Sequence, residues 1–177
     1  MDLLDFEAQA LYFDDELPKE VSDQLDKAAE NYGNERAEYH LLNAYFLEPD
    51  HLSVLVALYR YFYYQHRYQD AFLVSERAMV ITARRLELRC TWQHLSLQSL
   101  GTGIIKSMTL TRFYLMALKG SGYLKLRMGE TQSGLARLEK VEELDTDDRM
   151  NVRMLVQIAR DELRRQTFST HPNVVSL

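Results

Sequence analysis

Apolar residues recur along most of this chain at three- and four-residue intervals, the spacing of one face of an α-helix. Leu55, Leu58, Tyr59 and Phe62 form an i, i+3, i+4, i+7 stripe, and Met150, Val152, Leu155, Ile158, Ala159 and Leu163 mark another helical run near the end. Seven glycines and three prolines (Pro18, Pro49 and Pro172) leave long stretches without a breaker, while leucine, alanine, arginine and glutamate are plentiful. The pattern predicts an all-α fold. Helix pairs are expected at 18–31 with 34–47 and at 52–65 with 68 onward, and Val21, Leu25 and Ala28 supply the inner face of the first helix.

A longer period overlies the helical one. Ala37 and Ala44 recur as Ala71 and Ala78, each 34 residues later, and Pro49 closes the preceding unit. Small residues at such positions let two helix axes approach closely. With Leu55, Leu58, Tyr59 and Phe62 on one helix and Tyr68, Ala71 and Ala78 on the next, the period resembles the tetratricopeptide repeat (TPR). A third copy reads as Leu118, Gly122, Gly129, Gly134, Leu135, Leu138, Val141 and Leu144, with Gly129 at the turn and Gly134 at the crossing, although Lys125 stands where the family has a large residue.

The turn at Gly129 follows that at His66 by 63 residues, 29 more than one period. The excess is expected as an insertion arm over about 86–114, with Gly101-Thr102-Gly103 at its tip. Sharing the excess between two helices would lengthen each by roughly 20 Å. The expected architecture is therefore an all-α, TPR-like α-solenoid of about three helix pairs with an elongated central helical hairpin. Residues 1–17 form an acidic N-terminal segment, 18–168 the helical domain and 169–177 a loose tail. A capping helix is expected over 147–167, with Asp147 as its N-cap.

Composition narrows the function classes. A 177-residue chain that is 46% hydrophobic suits one domain with a sizeable core. The start lacks the features of a signal peptide, and no apolar run approaches the roughly 20 residues that span a bilayer, so a soluble cytoplasmic protein without membrane contact is expected. Cys90 is alone and reads as a buried, inert thiol, and the five histidines lack paired ligand spacing, so no metal or other cofactor is expected. The run from Gly101 to Ser107 resembles a phosphate-binding loop only faintly, because Ile105 replaces the glycine needed before Lys106. Acidic clusters at Asp14–Glu16 and Asp145–Asp148 read as caps and linkers. No nucleophile–base arrangement stands out, and enzymatic activity is not expected.

The net charge of −5 hides a strong asymmetry: residues 1–50 carry a balance of −11, and residues 51–127 one of +8. Arg84, Arg85, Arg89, Lys106 and Arg112 would cluster on the arm near Trp92, but the overall acidity makes nucleic-acid binding an unfavoured expectation.

The resemblance to the TPR family implies a non-enzymatic protein–protein interaction module, an adaptor or scaffold whose first helices line a concave groove. Carried onto this chain, the groove positions are Lys19, Ser22, Asp26, Ala29 and Glu30, then Ser53, Val56, Arg60, Tyr63 and Tyr64, then Met116, Lys119, Tyr123, Leu126 and Arg127. Arg60, Lys119 and Arg127 would make that groove basic, and Tyr63, Tyr64 and Tyr123 would line it with aromatic surface, so an acidic partner segment is the expected guest. The family's carboxylate clamp is not evident, because Ser22 and Asp26 stand where it has lysine and asparagine. Alternatives are a bacterial secretion-type chaperone with three such repeats and a transcription-associated module that contacts nucleic acid.

Two surfaces remain. Trp92, Leu95, Ile104, Ile105 and Phe113 make the arm too apolar for one hairpin to bury, which predicts a homodimer. The N-terminal segment interleaves Leu3, Leu4, Phe6, Leu11, Tyr12 and Phe13 with acids, so it either caps the solenoid or docks in the groove.

Overall fold

The computed structural model describes residues 15–170, with side chains as far as residue 167. Most of the expected N-terminal segment and of the C-terminal tail lies outside the described residues. Those described are helical, in the order α1 (Lys19–Glu30), α2 (Glu35–Leu47), α3 (Leu52–Tyr64), α4 (Tyr68–Arg85), α5 (Leu97–Lys106), α6 (Met108–Arg127), α7 (Thr131–Leu144) and α8 (Arg153–Thr170), with a 3-10 turn at Trp92–His94. Among them, no helix is long and apolar enough to cross a membrane.

Helices pack largely in chain order: α1 on α2, α3 on α4, α4 on α6, α6 on α7 and α7 on α8. The four alanines of the 34-residue period are buried where those helices approach. Gly134 has the same role between α6 and α7. A Cβ there would stand 2.7 Å from Leu126 Cδ2 and 2.8 Å from the Gly122 carbonyl oxygen, so the two backbones are nearly in contact. Leu52, Leu55, Tyr59, Phe113, Leu118, Leu124 and Leu138 form the centre of one continuous apolar core.

The elongated hairpin expected over 86–114 is not what the chain forms. Helix α4 ends at Arg85, an irregular segment carries the 3-10 turn, and α5 and α6 are separate helices that meet at Ser107. The stop after α4 has a definite geometry. Glu87 takes a left-handed conformation (φ 56°), and the Leu88 N–H donates to the Ala83 carbonyl, a helix C-terminus usually made with glycine. His66 (φ 58°) and Gly129 (φ 81°) close α3 and α6 in the same way, through Arg67 to Phe62 and Glu130 to Lys125. Gly101-Thr102-Gly103 lies inside α5 and not at a hairpin tip; its Gly103 lets α5 settle against Thr111 Oγ1, which a Cβ would approach to 3.1 Å. Ser107 then caps α6 by accepting from the Leu110 N–H.

The helix expected over 147–167 begins at Arg153, and its lead-in is held by Asp145 and Asp148 in place of Asp147. Asp145 accepts from the Met150 N–H at 2.6 Å, and Asp148 from the Val152 N–H at 2.7 Å.

The charge asymmetry of the sequence is spent on pairing between the front and the middle. Arg67 meets Glu38 at 2.7 Å, Arg77 and Arg84 both reach Asp50, and Arg85 pairs with Asp15 while donating to the Asp50 carbonyl. These groups are partly exposed, and such pairs contribute about 0–1 kcal/mol each. They fix which helices sit beside which more than they add stability. Lys106 is likewise paired, with Glu87.

Candidate functional site

The aromatic run at the end of α3 meets the end of α6. Tyr63 lies 6.0 Å from Tyr68 and 6.2 Å from Tyr123, ring centroid to centroid, and Tyr64 stands edge-on to Tyr63 at 5.5 Å. Arg127 sits over the Tyr68 ring at 4.7 Å, and its guanidinium donates to the hydroxyls of both Tyr68 and Tyr123. The His66 Nδ1 is hydrogen-bonded to the same Tyr68 hydroxyl at 2.9 Å. The geometry is set by the turn: His66 in its left-handed conformation reverses the chain so that Tyr68 starts α4 beside Tyr63.

Of the residues expected to face a partner, Tyr63 and Tyr123 are half-buried in this cluster, Arg60 is half-buried, and Tyr64 and Arg127 are exposed. Tyr61 is buried against Tyr32, with ring centroids 6.3 Å apart. Lys119 requires a correction. It is only 5% exposed, and its Nζ donates to the Met150 carbonyl at 2.6 Å, tying α6 to the lead-in of α8. Met150 and Val152 are buried against the helices, and with Lys119 and Met116 themselves buried that face of α6 is closed over. Ser53 and Val56 are buried in the same way on α3. What remains accessible is the end formed by Tyr64, Tyr68, Tyr123 and Arg127.

The arm residues separate into two groups. Leu95 and Phe113 are core residues, and Trp92 is half-buried, so they do not belong to an exposed interface. Ile104 and Ile105 are exposed on α5.

A second recess, not evident in the sequence, opens between α4, the segment 88–93 and α6. It has a volume of about 580 Å³ and is lined by Glu76, Met79, Val80, Leu88, Trp92 and Tyr114 among others. Arg137 holds two of its lining residues, Glu76 and Trp92, from behind. Its guanidinium lies 4.8 Å from the Trp92 ring and 5.1 Å from the Phe72 ring, and it donates to both oxygens of Glu76 and to Ser121 Oγ. Burial pushes the Tyr114 phenol up to about 12. Cys90 is half-buried on its wall rather than wholly enclosed. The trace of the recess in the sequence was Trp92 placed just after Cys90, in a stretch read as helix.

Over 158 residues the chain is 45% identical to a protein of Azotobacter chroococcum mcd 1, described as an uncharacterized 19.8 kDa protein in nifW 5'region, with 89% of this chain and 88% of that protein covered. The chain belongs to that protein's family. No protein-family model matches the chain, and no solved structure matches it. The shared region takes in 89% of the chain, so the relatedness extends well beyond one helix pair.

Proposed function

We propose that this protein is a non-enzymatic protein-binding module of the TPR type, working as an adaptor or scaffold and engaging an acidic segment of its partner. The observation that carries this reading is the accessible Tyr64, Tyr68, Tyr123 and Arg127 cluster where α3, α4 and α6 meet. Tyrosine offers a large apolar face with a polar tip, and an arginine held over aromatic rings keeps its charge and part of its donor set for a carboxylate. The guest on this reading contacts one end of the array rather than the length of a groove, because Lys119 and Met116 lie under the lead-in to α8.

The reading implies a cytoplasmic protein that works through its partner. The relative's gene lies in the nifW 5'region, which makes the nifW product a first candidate to look for among captured proteins. Affinity capture from the native host, read by mass spectrometry, tests the proposal with the wild-type chain and an Arg127→Glu, Tyr64→Ala double variant. Both side chains are exposed, so the variant should keep its helicity and melting temperature while losing roughly tenfold or more in affinity for the captured partner. A folded double variant that retains the partner at unchanged affinity would remove this cluster as the binding surface.

A further inference from the structure

The outer face of α5 has no partner within the described residues. Leu97 is 55% exposed, Ile105 88% and Met108, just beyond the helix, 69%; Ile104 is also exposed. An isoleucine as open as Ile105 is costly to leave in water unless something covers it. On the helix, Leu97, Gly101, Ile104 and Ile105 lie along one stripe, with Gly101 midway between Leu97 and Ile105. A Cβ built at Gly101 would meet nothing within 4 Å, so the stripe has a notch on its open side that no neighbouring element fills. Gly103, on the opposite face, is the glycine that α5 needs for packing within the chain.

We propose that this face is the interface of a two-fold dimer, with α5 packed antiparallel against α5 of a second copy and the symmetry axis at Gly101. Two properties select a second copy as the occupant. The first is charge. Between Arg89 and Lys106 the chain carries no Asp, Glu, Lys or Arg, although it is acidic overall, so two copies meet here without like-charge repulsion, and a charged partner would find nothing to pair with. The second is self-complementarity. In a two-fold interface, if residue i meets residue j then j also meets i. An axis through Gly101 sets Leu97 opposite Ile105 of the second copy and repeats that contact on the other side, while the paired glycines let the helix axes approach closely. The most exposed apolar side chain of α5 thus meets another exposed apolar side chain twice.

Sedimentation equilibrium on the full chain from low- to high-micromolar concentration tests this directly. The wild type is expected to dimerise. Ile105→Glu and Leu97→Lys are each expected to shift the equilibrium toward monomer by roughly tenfold or more, with the circular-dichroism melt unchanged because both side chains face out. Ile104→Lys serves as a second probe of the same helix face should either variant melt early. The register has its own readout: an equimolar mixture of the Ile105→Glu and Leu97→Lys chains should associate, because one half of the interface then keeps Leu97 against Ile105 and the other pairs lysine with glutamate. A wild-type chain that stays monomeric throughout, or stripe variants that dimerise as the wild type does, would overturn the proposal. Monomeric single variants that fail to associate on mixing would overturn the antiparallel register.

Discussion

Two glycines of this chain, each inside a helix, should respond to alanine with opposite signs. An exposed or open glycine in a helix interior costs about 1 kcal/mol relative to alanine, so replacing it stabilises. Gly101 meets that condition, since its added Cβ finds open space. Gly134 does not. Its Cβ would stand 2.8 Å from the Gly122 carbonyl oxygen, a backbone atom that cannot swing aside, and 2.7 Å from Leu126 Cδ2. Relieving that contact means separating α6 from α7 by several tenths of an ångström along a seam that includes Leu138, whose Cγ is already 3.0 Å from a Cβ built on Gly122. Overpacking of this kind costs about 1–3 kcal/mol. Because the clash is with a backbone atom, the upper part of that range applies, about 2–3 kcal/mol. Set against the propensity gain of about 1 kcal/mol, Gly134→Ala should be a net loss of about 1–2 kcal/mol. For a domain of this size that lowers the melting temperature by about 2–8 °C, whereas Gly101→Ala should raise it by about 1–4 °C. Urea and thermal melts monitored by circular dichroism read both, at a concentration low enough that self-association does not contribute. A neutral or stabilising Gly134→Ala would refute the close approach of α6 and α7.

Arg137→Ala removes a side chain that holds Glu76, Ser121, Phe72 and Trp92 together, and should destabilise by about 2–3 kcal/mol, below the usual figure for a buried pair because Glu76 is partly exposed. Trp92 is the single tryptophan, so its emission should shift at the same time, and unchanged emission would count against the stack. His51 caps α3 by accepting from the Ser53 N–H through Nδ1, and burial holds its pKa below the ordinary histidine value. The neutral form is the one the fold favours, so stability from this group is present above about pH 6.5 and is lost as pH falls through the lowered folded value. Replacement by asparagine, a cap that accepts without titrating, should flatten that part of the pH profile in chemical denaturation; an identical profile would exclude His51 as its source.

The alanines at a 34-residue interval located α1 to α3 and the start of α4 within a residue or so, because small residues at helix crossings leave a direct trace in sequence. Gly129 and Gly134 located the turn and the crossing of α6 and α7 for the same reason. The arm was misread because the signal that ends α4 is written in an unusual residue: Glu87, not glycine, takes the left-handed position, so 68–99 looked like uninterrupted helix. Gly101 and Gly103 then looked like the turn, although one is open to solvent and the other serves packing. In the candidate site, Tyr63, Tyr64, Tyr123 and Arg127 were singled out through the resemblance to the TPR family, and the structure leaves Tyr64 and Arg127 exposed and Tyr63 and Tyr123 half-buried. The burial of Lys119 was not legible, because what buries it is a segment some thirty positions later whose backbone carbonyl it satisfies. A face assigned from one helix cannot reveal what a later stretch of chain lays across it.

The pairing of the acidic front with the basic middle also bears on how the array is assembled during synthesis. Residues 1–50 leave the ribosome ahead of the rest of this chain with a balance of −11, and the arginines that meet Asp15, Glu38 and Asp50 all lie at position 67 or later. Until α4 has emerged, α1 and α2 form a helix pair whose charge has no counterpart, joined to α3 by the lightest packing between successive helices among α1 to α4. The self-repulsion of the unfinished front discourages it from settling early against itself or against the same segment of a neighbouring nascent chain. Arrival of Arg67, Arg77, Arg84 and Arg85 on one turn–helix unit then gives Asp15, Glu38 and Asp50 their partners in a single step. The first stable intermediate on the ribosome should therefore contain α1 through α4 together, and not the first helix pair alone.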